Sequence, residues 1–425
     1  VRQQLSKEIV VPWLILIGIL LAVVSRRIRF EVAAFSGLMI LGLSGVADST
    51  DLFSGFASPA LFTIAVVLMM SKGITDSGLF NGMGEIIQRK VKNPRMQLLI
   101  VFLNTAVLSA FMNNVGAAGI LIPTSKRMAK RVGAKQSDFG LALVYAALLG
   151  GSATLIGTGS NLIVSSFRGE AAGLPFRIFD FLPHGLAIIS VGIVFLFVCE
   201  QCGWILHDPM NQAHDSIKES SLEILPPRNA KKVFEILLPL LPAIMLAATG
   251  MLPPVLAFGF VILIWGGLGI LSAKDALESV NLPVLVVVGS MLSLSKVMQQ
   301  NGAFVPLTRV IAPLINYVPE VVFLLILVLI TCILANIMDN VVAAVIMTPM
   351  AVQLSYGNTL GIPLDALLMA VAAGASLSIL LPTNKVTLVV QAEMGFSSEE
   401  FMHKGIAIAG FSVLIATLVI WLVWC

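Results

Sequence analysis

Paired amide and carboxylate side chains set inside apolar sequence are groups that bind something. Two such pairs occur here in near-copies of one motif: Phe111-Met112-Asn113-Asn114-Val115-Gly116-Ala117-Ala118-Gly119-Ile120-Leu121-Ile122-Pro123 and Ile337-Met338-Asp339-Asn340-Val341-Val342-Ala343-Ala344-Val345-Ile346-Met347-Thr348-Pro349. An unpaired polar group in hydrocarbon costs several kcal/mol. Each pair therefore needs a ligand. A polar interruption repeated at corresponding places in two halves of an apolar chain points to the binding site of a transporter.

The elements that hold these motifs are membrane helices. Residues AVILMFWYC make up 58% of the 425 residues and DEKR only 12%, with a mean hydropathy of +0.98, whereas roughly a quarter of a soluble chain is charged. Apolar runs at 9–25, 30–46, 58–71, 139–166, 182–203, 233–251, 254–272, 281–295, 363–381 and 405–424 mostly approach a spanning length, which is ~20 residues. Runs 96–125 and 319–354 are too long for one ordinary span. The first run is followed by Arg26, Arg27 and Arg29 with no small-residue cleavage site, so it reads as a retained helix and not a signal peptide. A chain that opens on Val1 is expected to follow an earlier segment.

Charge sets the orientation. The loop carrying Arg26, Arg27 and Arg29 is expected on the cytoplasmic side, and the loop at 47–57, with Asp48 and Asp51 and no base, on the external side. Run 96–125 is flanked by two basic clusters, Arg89, Lys90, Lys92 and Arg95 before it and Lys126, Arg127, Lys130, Arg131 and Lys135 after it. Both clusters stay in the cytoplasm if the run enters the membrane and turns back at Asn113-Asn114. A re-entrant hairpin is the better reading, with its non-helical tip buried in protein or facing a wet cavity.

The duplication extends past the hairpins. Ser71-Lys72, Gly78 and Phe80 recur as Ser295-Lys296, Gly302 and Phe304, displaced by 224, and the hairpin motifs are displaced by 226. Gly157-Thr158-Gly159-Ser160-Asn161 interrupts one helix and Pro382-Thr383-Asn384-Lys385 its counterpart. The expected fold is an all-α polytopic membrane protein of two repeats, each with three spans, a re-entrant helical hairpin, a broken helix and a final span. Five crossings per repeat is odd, so the second repeat must be inverted. The boundaries are 1–203 for the first repeat (hairpin 96–125, broken helix 139–166), 204–232 for a cytoplasmic linker ending in Lys231-Lys232, and 233–425 for the second (hairpin 319–354, broken helix 363–393). Helix N-termini at mid-membrane suit an anion, and exposed carbonyls suit a cation.

At these residues the chain resembles the divalent anion:sodium symporter (DASS) family of the ion transporter superfamily. The family's hairpin tips, Ser-Asn-Thr, correspond to Asn113-Asn114-Val115 and Asp339-Asn340-Val341. The small-residue stretches, Pro123, Pro349 and Gly150 to Thr158 are also similar, so the resemblance spans nearly the whole chain. It implies a homodimer in which a scaffold flanks a transport domain that moves as an elevator. It also implies a sodium site at Ser109, Asn113 and Asn114 with backbone from Gly157 to Gly159, and substrate contacts from Asn114, Asn340, Thr158, Ser160, Pro382 and Thr383. The family's carboxylate-binding threonines are Val115 and Val341 here, and Ala335 lacks the hydroxyl that a second cation site would use. Asp339 and Lys385 are the departures that compensate: they are expected to replace one sodium, as a fixed salt bridge or as a proton-coupling pair, alongside Asn340. The plainer alternative is that Asp339 caps a helix and Lys385 reaches the interface.

The coupling ion is then Na+ or H+, with no other cofactor. The partners are a small anionic solute (dicarboxylate, sulfate or related oxyanion), the lipid bilayer and a second copy of the chain. Nucleic acid is not a partner, because a net charge of +3 is spread over loop anchors without basic-aromatic patches. Cys199 and Cys202 supply half of a zinc site at most, and small apolar fillers are the plainer reading. His184, His207, His214 and His403 lack metal spacing and are expected to be solvated. Lys72 and Lys296 read as interface anchors. The expected location is a bacterial inner membrane. Two other function classes stay open: an efflux or uncoupled permease like the arsenite-permease branch of the superfamily, and an intramembrane enzyme, for which no nucleophile with a base or metal set is found.

Overall fold

Pro94 shows how these helices begin. It occupies the first turn of its helix, where a missing N–H costs nothing, while the Asn93 side chain accepts from Arg95 N at 2.9 Å. In the computed structural model, residues 2–25, 27–76, 93–201, 230–303, 306, 318–356 and 361–425 are described. Among them there is no strand. The expectations placed on Arg26, Gly78, Phe80, Arg89, Lys90, Lys92, Cys202, His207, His214, Phe304 and most of the linker 204–232 fall outside these residues.

The first half runs through α1 (Arg2–Val24), α2 (Phe30–Leu43), a short α3 (Ser49–Leu52) and α4 (Pro59–Asp76). It continues with α5 (Pro94–Phe111), α6 (Asn114–Val132), α7 (Gln136–Gly151), α8 (Gly159–Ala172) and α9 (Leu182–Gln201). The second half repeats this order. It comprises α10 (Ala230–Thr249), α11 (Pro254–Gly267), a short α12 (Ala273–Ser279), α13 (Leu282–Gln300), α14 (Glu320–Ile337), α15 (Asn340–Tyr356), α16 (Leu364–Ser376), α17 (Lys385–Met394) and α18 (Ser398–Trp424). Helices α4, α5, α13, α14 and α18 are long and apolar enough to cross a membrane by length and composition.

Packing repeats along with the order. Helix α5 lies on α7 as α14 lies on α16, and α4 packs on α11 as α13 packs on α2. Helix α8 packs on α15, α17 packs on α6 and α7, and α9 packs on α18. The two halves are thus interleaved. The deepest core is α7 and α16, whose side chains are buried on nearly every face: Phe139 to Leu149 and Ala366 to Ala375 are at most 2% exposed. Small residues allow that closeness, since nearly uniform apolar helices with no polar face bury best in the interior of a bundle.

The four breaks in this pattern set up the site. Helices α5 and α6 meet at Met112 and Asn113, and α14 and α15 meet at Met338 and Asp339. Residues 152–158 separate α7 from α8, and residues 377–384 separate α16 from α17. His184, expected in solvent, is instead buried at the start of α9 against the Phe181 ring at 6.0 Å, because α9 is packed on α7 and α18. Lys72 and Lys296 carry nearby carboxylates, Asp76 at 2.7 Å and Asp51 at 3.5 Å.

Candidate functional site

Both hairpin tips and both helix breaks open onto one cleft of ≈ 630 Å³. Six helices begin on its wall: α2 at Phe30, α6 at Asn114, α8 at Gly159, α13 near Pro283, α15 at Asn340 and α17 at Lys385. Each helix start presents N–H groups with no intrahelical partner and roughly half a positive charge. Caps fill some of these positions. Asn113 Oδ1 accepts from Gly116 N at 2.7 Å, Asp339 Oδ1 from Val341 N at 3.0 Å, and Asn384 Oδ1 from Val386 N at 3.2 Å. Thr158 makes no side-chain cap to α8. The starts of α2 and α13 likewise have no side-chain cap, from Arg29 and Asn281, so three of the six ends keep their N–H groups uncapped by side chains.

Within this frame the first tip builds a cluster of acceptors. The amide end of Asn114 lies 2.8 Å from Ser109 Oγ, 3.1 Å from Gly157 O and 3.2 Å from Ala147 O. Ser109 in turn donates to Ala147 O at 2.6 Å. Two glycines permit this approach: a Cβ on Gly151 would stand 2.5 Å from the Asn114 amide, and one on Gly157 would stand 2.7 Å from Ser109 O. Two fillings satisfy the cluster. Asn114 can turn its Nδ2 inward and share its two hydrogens among the three acceptors, or it can turn its Oδ1 inward around a hard cation. Oxygens around such a cation at roughly 2.3–2.6 Å lie about 3 Å from one another, as they do here.

The adjoining break is held by its own side chains. Thr154 Oγ1 donates to Ala110 O and accepts from Gly157 N, and Asn161 Nδ2 donates to Ser152 O at 3.2 Å and Thr154 O at 2.8 Å. These bonds satisfy backbone that left the helix inside the bundle.

The second tip is built differently. Asn336, 2% exposed, donates through Nδ2 to Cys332 O at 2.8 Å and Leu377 O at 2.9 Å. Its Oδ1 accepts from Leu380 N at 2.6 Å and Leu381 N at 3.2 Å, while its carbonyl accepts from Thr383 Oγ1 at 3.0 Å. One amide thus staples the whole second break to the hairpin. Asn340 reaches across to the other half, with Nδ2 donating to Thr158 Oγ1 at 3.2 Å.

Of the residues expected from sequence, Asn113, Asn114, Gly157, Thr158, Gly159, Asp339, Asn340 and Lys385 line the cleft together. Ser109 sits behind them in the acceptor cluster, whereas the Asn113 side chain caps α6 and is not part of that cluster. Ser160, Pro382 and Thr383 are not on the cleft wall: Ser160 is fully buried beside Thr158 Oγ1 at 3.2 Å, and Thr383 is committed to Asn336. No ion pair joins Asp339 to Lys385 within 4.0 Å among the described residues, so the expected fixed salt bridge is not formed. Asp339 instead caps α15, and Lys385 is exposed on the cleft.

Sequence reasoning missed Asn336, Ala147, Arg29 and Glu31 as parts of this region. Arg29 and Glu31 pair at 2.6 Å on the cleft wall. A signal for Asn336 existed, a lone amide in the apolar run from Val321 to Met338. A backbone carbonyl such as Ala147 O leaves no mark in side-chain sequence.

Comparison with known proteins places this geometry in context. The pattern of a family described as CitMHS, citrate transporter, matches residues 19–252 and 233–424. An uncharacterized transporter, YfbS of Escherichia coli, is 30% identical over 173 residues, 40% of this chain and 28% of that protein. Sodium/sulfate cotransporter 1 of Chlamydomonas reinhardtii is 27% identical over 154 residues, 35% of this chain and 18% of that one. The chain thus matches less than a third of the length of these relatives. The crystal structure of the YdaH transporter of Alcanivorax borkumensis superposes with a TM-score of 0.64 at 15% identity, covering 91% of this chain and 88% of that one.

Proposed function

This chain belongs to the CitMHS citrate transporter family, and from that premise we propose that it is a secondary transporter of a small anion, coupled to a cation, with the central cleft as its substrate site. It is an all-helical integral membrane protein. The observation that carries the proposal is the convergence of six helix N-termini on one cleft bounded by both tips and both breaks. The side chains Arg29, Glu31, Asp339 and Lys385 cancel in formal charge, so the positive helix ends are what favour a di- or trivalent anion. Asn340, Thr158 and the amides at the start of α8 are its contacts. Val115 and Val341 line the same wall and give no hydroxyl, which suits sulfate, citrate-like carboxylates or related oxyanions held by N–H groups more than by side-chain O–H.

Cation coupling is assigned to Ser109, Asn114 and Gly157 with Ala147 O, a set of oxygens with no titratable member. Sodium, and not a proton, fits it. Asp339 with Lys385 is the one place on the cleft where a proton could be exchanged close to the tips. The cleft lies beside the loop of Arg29, which charge places on the cytoplasmic side of a bacterial inner membrane, so this is the inward-facing arrangement. Inverted repeats make the outward-facing arrangement its mirror. In an elevator-type movement the unit of α5–α8 and α14–α17 would slide past a scaffold of α1–α4 and α10–α13, with a homodimer fixing that scaffold.

Purified protein in proteoliposomes tests this, with uptake of sulfate, succinate and citrate measured under imposed sodium or pH gradients. Uptake of one of these anions driven by an inward sodium gradient is the expected result. Extrusion set by membrane potential alone would favour the uncoupled-permease reading and reject coupling.

A further inference from the structure

Halves that repeat in order and packing should carry two copies of any site, yet the acceptor cluster occurs at one tip. Moving 226 residues along the chain turns Ser109 into Ala335, Asn114 into Asn340 and Gly157 into Thr383. None of these second-half residues faces a group of unfilled acceptors. Ala335 offers no oxygen from its side chain. The Asn340 amide is turned to Thr158, and its Oδ1 accepts from Val341 N at 2.9 Å. Thr383 donates to Asn336 O. Leu377 O, the buried carbonyl just past the end of α16, receives Asn336 Nδ2 at 2.9 Å and Cys332 Sγ–H at 3.4 Å. Asn384 Nδ2 donates to Ser378 Oγ at 3.2 Å.

Cations bind where several oxygens point at one spot with no hydrogen between them. At the second tip an NH2 group stands there and is locked in place, because Leu380 N and Leu381 N hold the other end of the Asn336 amide, whereas the Asn114 amide can turn either end to its cluster. We propose that the transporter binds a single coupling cation, at the first tip around Asn114, and that the Asn336 amide is a built-in substitute for a second cation. This rests on the cation-coupled reading above, and it adds a stoichiometry and a residue that fixes it. The two tips then work unequally: one is closed by an ion that comes and goes, the other by a side chain that stays.

The substitution has a structural consequence that makes it testable by gain of function. Asn336→Asp keeps the oxygen that accepts from Leu380 N and Leu381 N and replaces the NH2 with a second oxygen facing Cys332 O and Leu377 O. That variant recreates an acceptor-only cluster with a formal negative charge. Asn336 is a positioning residue, not a substrate contact, so the readout is the ion response and not activity alone.

The experiment is a titration of the purified full chain with sodium chloride, at constant ionic strength maintained with potassium chloride, reading thermal stability. The wild type is expected to be stabilised by sodium with a Hill coefficient near 1, and Asn114→Ala to lose that response. Asn336→Asp is expected to gain a second sodium-dependent step, with a larger total shift and a steeper rise of stability with the logarithm of sodium concentration at saturating sodium. A wild-type coefficient near 2, or a sodium response surviving in Asn114→Ala, overturns the single-site assignment even if the aspartate variant does not fold. An aspartate variant that folds and follows the wild-type curve overturns the role of Asn336. A wild type indifferent to sodium rejects the coupling reading itself and the inference with it.

Discussion

The two hairpin tips share a motif and differ in how each is closed. At the first, Thr154 of the break and Asn161 of the first turn of α8 hold the broken backbone, leaving Asn114 against three acceptors. At the second, a hairpin side chain, Asn336, reaches out and holds the break, with its NH2 filling Cys332 O and Leu377 O and its Oδ1 held by Leu380 N. The direction of the staple decides the chemistry. When the break fastens itself, the hairpin amide is free to take part in ion binding. When the hairpin fastens the break, its amide becomes structure.

The comparison breaks most sharply at Asn114 and Asn336. Asn114→Ala removes the amide from the acceptor cluster, and sodium affinity is expected to fall by at least the ~10–100-fold that outer-shell changes cost at metal sites. The apo protein should lose less stability than with Asn336→Ala, because Ala147 O keeps its bond from Ser109 Oγ and Gly157 O is the main group left without a partner. Asn336→Ala is expected to do the reverse: it orphans Leu380 N and Leu381 N and leaves Leu377 O with only the weak Cys332 Sγ–H donor, at about 1–3 kcal/mol for each buried group left unsatisfied, so its melting temperature should drop by several degrees with or without sodium. If both variants lose stability equally and neither alters the sodium response, the division between the tips is wrong.

Gly151→Ala tests the first tip without touching a ligand. Its Cβ would displace the Asn114 amide from 2.5 Å, so weakened sodium binding of roughly tenfold is expected, corresponding to about 1.4 kcal/mol. Unchanged sodium binding would show that the glycine approach has no part in the cluster. Asp339→Asn addresses the second tip. If Asp339 carries a proton during the cycle, the pH dependence of uptake is lost; if it only caps α15, uptake keeps its pH profile and stability is unchanged, because asparagine caps as well as aspartate. At the cleft mouth, Arg29→Gln is expected to raise the KM for anion a few-fold at low salt, an effect that fades as ionic strength rises.

Much of this architecture was legible in the sequence. Runs 96–125 and 319–354 were too long for one span, and each contains a helix–break–helix unit whose break falls at the polar pair. The interruptions at Gly157 and Pro382 also mark real breaks, because glycine and proline end helices for backbone reasons that sequence displays. The partners of each polar residue were less legible. Thr383 sits beside a break and reads as a substrate contact, yet its hydroxyl is turned to Asn336 O. Asp339 and Lys385 read as an ion pair, yet each follows its own helix start, one capping and one exposed to the cleft. Side-chain direction at a helix terminus depends on a few backbone dihedrals, and residue type alone does not encode them. Asn336 illustrates the opposite lesson. A lone amide in an apolar run was visible, but its partners are backbone groups of Cys332, Leu377, Leu380 and Leu381, which side-chain sequence does not display.

Uptake of the transported anion against sodium concentration, in proteoliposomes holding wild type, Asn114→Ala or Asn340→Ala, tests the central claim most directly. The account predicts sodium-driven uptake in the wild type, loss of the sodium response in Asn114→Ala, and a raised KM for the anion with the sodium response intact in Asn340→Ala. Equal effects of both variants on sodium and anion, or uptake indifferent to sodium in the wild type, would contradict it.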